Sequence, residues 1–310
     1  VGEDLPDKKG FTGLCLAILL VIGPVRAGAQ EDDAAAGRDF PKTLTLDEPG
    51  IDDEISFPTV TRTDDPLLDG RMAAASDDVA FEIDKRLTEQ LDLQLTGGWR
   101  SVDGPEGVSH DGWDNATLTS KYVLLDQAAT ESIVTAGIIR EFGRSGAAGV
   151  GADNVSSTLP ILYFGQGFGA TGWPAPLRAL AITGGLGLQI PDRAHGAGGM
   201  GTSPAIVLQG SLQYSLKYLA APIEAAGLPR RLERFLFITE IASSLPANHG
   251  GQDREAVAAP GLIYAGSGYQ LAVEALLPLT RASGRGVGGT AQLNISFRRL
   301  GLAALAGTLW

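Results

Sequence analysis

Residues 205–218 read AIVLQGSLQYSLKY. In an extended chain successive side chains point to opposite sides. Ile206, Leu208, Gly210, Leu212, Tyr214, Leu216 and Tyr218 therefore share one face, and Val207, Gln209, Ser211, Gln213, Ser215 and Lys217 the other. Thirteen residues of alternation outrun the roughly five or six of an ordinary strand and suit the about 9–11 of a tilted strand crossing a bilayer. The stretch predicts a wall strand with an apolar outer face and a polar inner one.

The same period recurs on both sides of it. Val79, Phe81 and Ile83 oppose Ala80, Glu82 and Asp84, and Leu91, Leu93 and Leu95 oppose Asp92, Gln94 and Thr96. Leu180, Ile182, Leu186, Leu188 and Ile190 oppose Ala181, Thr183 and Gln189. Tyr269, Leu271, Val273, Ala275 and Leu277 oppose Gln270, Ala272 and Glu274, and Ala291, Leu293, Ile295 and Phe297 oppose Gln292, Asn294, Ser296 and Arg298. Weaker runs near 115–126, 131–142, 157–168, 231–243 and 255–266 bring the candidates to eleven. Breaks between them are read as alternating, tight at 88–90, long at 103–114, tight at 127–130, long at 143–156, then 169–176, a long Gly-rich one at 191–203, a Pro-containing one at 220–230, a polar one at 246–254, a tight one at 267–268 and a Gly-rich one at 281–288. That is the rhythm of short turns and long outer loops in a transmembrane barrel. If the first short turn is periplasmic, an earlier strand must carry the chain outward, and Glu54 to Thr63 (EISFPTVTRT) supplies it. The expected fold is all-β, a single transmembrane antiparallel β-barrel of about twelve strands spanning residues 54–298, with a tail at 299–310.

Ahead of the barrel lies FTGLCLAILLVIGPV at 11–25, preceded by Lys8-Lys9 and followed by Ala27-Gly28-Ala29. Basic, apolar and small residues in that order are expected to be a secretory signal peptide, residues 1–29, cleaved before Gln30. Residues 30–53, with Glu-Asp-Asp at 31–33 and Asp-Asp-Glu at 52–54, are expected to be an acidic mobile leader. The chain carries 36 acidic and 24 basic residues, net −12, with no basic stripe, which excludes nucleic acid as a partner. Cys15 is the only cysteine, so a disulfide framework and a Cys-based zinc site are excluded too.

The polar members of each alternation are expected to line the lumen: Glu82, Asp84, Asp92, Gln94, Thr117, Thr119, Lys121, Arg140, Gln189, Gln209, Gln213, Lys217, Arg234, Glu240, Glu274, Gln292 and Asn294. Five acids and four bases among them predict a nearly balanced interior crossed by ion pairs, such as Lys217 with Glu240 or Arg234 with Glu274. Trp99, Trp113, Trp173, Tyr122, Tyr218, Tyr269 and Trp310 are expected near strand ends, as interface aromatics.

Gly165-Gln166-Gly167-Phe168-Gly169-Ala170 has the form of a dinucleotide fingerprint, but no helix pattern follows and Pro174 and Pro176 intervene, so strand glycines beside aromatics are the better account. His110, His195 and His249 fall in three loops expected on one rim, with nothing in sequence to gather them round a metal. All three His lie in loops away from the alternating strand faces and no Ser recurs at a fixed short spacing from them, so no nucleophile and base are visible and an enzyme is not expected.

Gly112-Trp113-Asp114-Asn115 with Lys121-Tyr122, Val150-Gly151-Ala152-Asp153, and Tyr163-Phe164-Gly165-Gln166-Gly167-Phe168-Gly169 resemble Gram-negative outer-membrane proteins grouped as a transporter family with the MetA pathway of phenol degradation. The resemblance covers about residues 78–297 and implies a barrel with a transport role. It carries over no catalytic residues. The chain departs from the usual outer-membrane ending, since LGLAALAGTL before Trp310 does not alternate well. The expectation is therefore a bacterial outer-membrane pore or substrate-specific channel without a cofactor. Its partners would be the lipid bilayer, the outer-membrane assembly machinery and an unidentified small solute. The alternatives are a non-transporting structural or surface-interaction barrel with a packed lumen, and a soluble periplasmic sandwich.

Overall fold

The computed structural model describes residues 38, 40–68, 71–104, 108–193, 203–247 and 254–308. The expected signal peptide, residues 30–37 of the leader, His195, His249 and Trp310 lie outside the described residues.

Twelve long strands form the wall: β1 (Glu54–Asp64), β2 (Ala75–Arg86), β3 (Leu91–Asp103), β4 (Thr117–Gln127), β5 (Ser132–Glu141), β6 (Ser157–Gly167), β7 (Leu180–Pro191), β8 (Ala205–Ser215), β9 (Phe235–Pro246), β10 (Glu255–Ala265), β11 (Tyr269–Pro278) and β12 (Gly288–Ser296). Each pairs antiparallel with its neighbours in sequence, and β1 pairs with both β2 and β12, so the sheet closes on itself. Closure removes the unpaired edges that an open sheet would leave. At one end, the turn end, the connections are 87–90, 128–131, 168–179, 216–234 and 266–268, and both the entry at Asp53 and the exit at Phe297 lie there. The loop end carries the other connections. There β3 runs on into a hairpin with a short strand, Ser109–Trp113.

Alternation sorts the side chains as binary patterning requires. Leu95, Leu118, Ile138, Leu162, Ile182, Leu186, Leu208, Leu212, Phe237, Ile241 and Val273 are exposed on the outer face. Their sequence neighbours Gln94, Thr119, Thr183, Ser211, Gln213, Glu240 and Glu274 are buried on the inner face. In β1 the pairing shifts register between Ser56 and Thr59, around Pro58, which has no N–H to donate. The shift changes face parity, so Ser56 reaches Asn294 at 3.0 Å and Thr59 reaches Gln292 at 3.1 Å, both on the inner side.

Two local expectations change. The strand begun at Ala205 stops at Ser215, and Leu216–Leu219 turn into a short 3-10 helix that opens the helical connection to β9. Tyr218 therefore points into the turn-end mouth, where its hydroxyl donates to Glu131 (2.8 Å) and its ring lies under Arg38 (4.6 Å). Tyr269 joins Phe235 and Tyr264 at the turn end, with Tyr264 at the centre of the group. Trp99 and Trp113 meet edge to face at the loop end, centroids 5.6 Å apart.

Candidate functional site

Residues 40–53 are not a mobile tether. They enter at the turn end, rise into the lumen and return to β1, and their side chains dock on the inner wall. Phe40 is buried against Val123, Ile133 and Ala181, with Ile51 packed beside them. Leu44 packs on Leu236, Ile238, Ile263 and Ala272. Polar groups fasten the segment between these apolar anchors. Tyr163 Oη donates to Asp47 (2.7 Å), Thr135 Oγ1 to the Pro49 carbonyl (2.6 Å) and Gln270 Nε2 to the Lys42 carbonyl (2.6 Å). At the tip, Thr45 donates its N–H to Glu240 (2.8 Å) and its hydroxyl to Glu274 (2.8 Å), and the Leu46 N–H adds a second bond to Glu240 (3.1 Å). The physical reason is that a ring of buried carboxylates needs donors, and this segment supplies them.

Charge inside the barrel is concentrated on two ammonium groups. Lys42 meets Glu48 at 3.4 Å, Glu54 at 3.7 Å and Asp84 at 2.7 Å, and pairs closely with Glu82. Lys121, 1 % exposed, meets Glu48 at 2.7 Å. Asp47, Glu48, Glu54, Glu82, Asp84, Asp92, Glu240 and Glu274 thus lie around the inserted segment, eight carboxylates against Lys42 and Lys121 among the described residues there, while nearer the loop end Arg100 on the inner face of β3 pairs with Asp78 and Asp114.

The expected balance fails because three of its bases are elsewhere. Arg140 stands on the outer face of β5, bonded to Thr158 (2.8 Å) and Asp192 (2.7 Å) near the loop end. Lys217 is exposed on the 3-10 helix after β8. Arg234 ends the 3-10 helix before β9, with Tyr264 Oη at 3.4 Å. The anticipated pairs Lys217 with Glu240 and Arg234 with Glu274 do not form, and the leader's Thr45 and Leu46 take that place. The remaining sites, Glu82, Asp84, Asp92, Gln94, Thr119, Lys121, Gln213, Glu240, Glu274, Gln292 and Asn294, all sit on inner-face positions. Thr117 and Gln189 share that face by register, and Gln189 bonds Ser157 at 3.3 Å. Gln209 also points inward, its amide oxygen buried.

Strand glycines make room for the segment. A Cβ on Gly165 would lie 3.0 Å from Cζ of Phe40 and 2.8 Å from Cγ2 of Ile133, and one on Gly167 would lie 2.6 Å from Cδ of Arg38. Arg38 then donates to the carbonyls of Ala179 and Leu180, each at 2.8 Å. The glycine string that mimics a nucleotide fingerprint is thus the slot in which the leader lies. Its period-2 glycines on an inner face, together with the alternation of Phe40, Lys42, Leu44 and Leu46, are the sequence signals that bear on this docking.

At the turn-end mouth, Asp53 gathers Lys85 (2.6 Å), Arg86 (3.1 Å) and the N–H of Gly307 (2.7 Å) from the C-terminal tail. Burial alone would raise this carboxyl, but the hydrogen bonds from Lys85, Gly307 and Arg86 outweigh it and hold Asp53 below the usual carboxylate range. Above the inserted segment, a chamber of about 270 Å³ remains, floored by residues 42–48 and walled by Thr59, Ala80, Phe81, Glu82, Thr96, Gln209 and Gln292. On the loop-end side, residues 147–152 fold against Val102 on the inner face of β3.

No protein-family model matches the chain, and no curated protein matches it. Solved structures do. An outer membrane channel from Pseudomonas putida F1 superposes with a TM-score of 0.53 at 12 % identity, over 83 % of this chain and 99 % of that one. A NanC porin gives 0.49 at 8 % identity, over 78 % and 98 %. This chain has the fold of an outer-membrane channel barrel. The likeness to the Pseudomonas channel is one of fold, which in this chain is a closed antiparallel sheet of twelve strands.

Proposed function

We propose that the chain is an outer-membrane channel for small solutes, caught in a closed state with residues 40–53 as its plug. The observation that carries this reading is the division of the lumen. Part of it is filled by a segment that is not part of the wall, and a chamber of about 270 Å³ has that segment as its floor. A barrel closed by its own wall side chains has no removable part, whereas this floor is a segment ahead of β1 fastened to the wall by hydrogen bonds and ion pairs. The outer belt of exposed Leu, Ile, Val and Phe supports a membrane location, since such a continuous apolar face on a soluble barrel would drive association. Export through the signal at 1–29 belongs to the same proposal, as does kinship with the transporter family of the MetA pathway that the glycine and Trp-Asp-Asn strings resemble.

The second reading, a non-transporting barrel with a packed lumen, is favoured by the number of independent anchors on the plug. Single-channel recording of the refolded chain separates the two. The channel reading expects discrete openings that become more frequent when a plug anchor is removed by Glu240→Ala. A heat-modifiable, folded barrel that stays silent in both forms would establish the packed reading instead.

A further inference from the structure

We propose that the chamber above residues 42–48 is a binding site for a small organic cation of the primary-ammonium class; this rests on the channel reading and names the solute class of that channel. The lining offers acceptors with nothing to accept. Gln292 is 8 % exposed, its Nε2 donates to Thr59 at 3.1 Å, and its Oε1 has no protein partner. Gln209 Oε1, on the same chamber, is also buried and unpartnered. Among the described residues nearly all the orphaned buried polar atoms are carbonyl or carboxylate oxygens, the exception being Gln94 Nε2, which is not on the chamber. Buried acceptors without donors are costly, and a ligand that brings N–H groups and positive charge removes that cost.

Electrostatics points the same way. Lys42 is the only ammonium on the chamber and is shared among four carboxylates, so an anion would find no free cation and would face Glu82. A bare metal ion fits poorly: no group of three His, Cys, Asp or Glu with ligating geometry occurs among the described residues, and about 270 Å³ far exceeds an ion. Engineered cavities of roughly 150 Å³ admit benzene, so this chamber takes a somewhat larger molecule. Leu44 and Ala80 provide an apolar side. The ammonium head is seated on the Oε1 atoms of Gln209 and Gln292, Glu82 being already paired with Lys42, and a short hydrocarbon body lies on Leu44 and Ala80.

The test is titration calorimetry on the full refolded chain in detergent with n-butylammonium, butan-1-ol and butanoate, alongside single-channel recording of the same preparation. Butylammonium is expected to bind at least tenfold more tightly than butanol, and butanoate not at all. Gln292→Leu and Gln209→Leu should each weaken butylammonium by about fivefold to tenfold; Gln292→Met keeps volume if the leucine variant does not refold. Equal binding of butylammonium and butanol, tighter binding of butanoate, or unchanged affinity in the folded double variant overturns the inference. Openings without ammonium binding overturn it while leaving the channel reading intact, and ammonium binding to a barrel that never opens upholds the site and removes the channel.

Discussion

Replacing Lys42 with Met tests whether the segment at 40–53 is a releasable plug. The side chain of Lys42 is 5 % exposed and touches carboxylates of Glu48, Glu54, Glu82 and Asp84. Methionine keeps the volume and removes the charge, so the docked segment then faces those carboxylates with only Lys121 nearby. Breaking a buried ion pair by removing one partner costs about 3–5 kcal/mol. At 1.4 kcal/mol per factor of ten, undocking should become roughly 100-fold to 4,000-fold more favourable. Two assays read it: the frequency of channel openings, and maleimide labelling of a cysteine at Thr43, which is 4 % exposed in the docked segment. Unchanged opening frequency and unchanged protection at position 43, in a barrel that still shows heat-modifiable migration, would refute the plug mechanism.

Gly167→Ala places a Cβ 2.6 Å from Cδ of Arg38 and 2.2 Å from Glu131 Oε2; overpacking of this kind costs about 1–3 kcal/mol, and limited proteolysis should then cut within 38–53 while the wall stays intact. Cysteine scanning of 206–213 should alternate, with lipid-soluble reagent reaching Leu208 and Leu212 and not Gln209 or Gln213; uniform labelling rejects the register. Asp53→Asn should loosen the tail at Gly307 and raise its hydrogen exchange. Because the folded Asp53 carboxyl lies below its usual 3.8, its stabilisation is present above that pH and is lost only as pH falls through the lower folded value; a tail that loosens already near neutral pH contradicts this.

Strand chemistry was legible without coordinates because it is local. Period-2 alternation needs only neighbouring residues to state which face is wet, and twelve such runs lead to the closed wall that the pairings of β1 with β2 and β12 complete, although the turn-end connections 168–179 and 216–234 are too long for the expected rhythm of short and long breaks. The inner positions of Asp84, Asp92, Lys121, Gln213, Glu240 and Glu274 follow from the same parity. Parity misleads where the period itself ends. Lys217 and Arg234 continue an alternation on paper, but the chain has already turned into 3-10 helix there, and the phase of the weak run holding Arg140 is decided by pairing with β6.

Residues 40–53 could be interpreted only in three dimensions. Their composition, a few apolar residues among acids and threonines, reads as solvated chain, since no partner is near in sequence. Their partners are Lys121, Tyr163, Glu240 and Glu274, separated from them by 73 to 229 positions. The wall's Glu240 and Glu274 take the segment's backbone N–H groups and hydroxyl, its Glu82 and Asp84 take the ammonium of Lys42, and its Lys121 and Tyr163 take the segment's Glu48 and Asp47. That match arises only once barrel closure has brought the carboxylates into a single enclosed space of low dielectric.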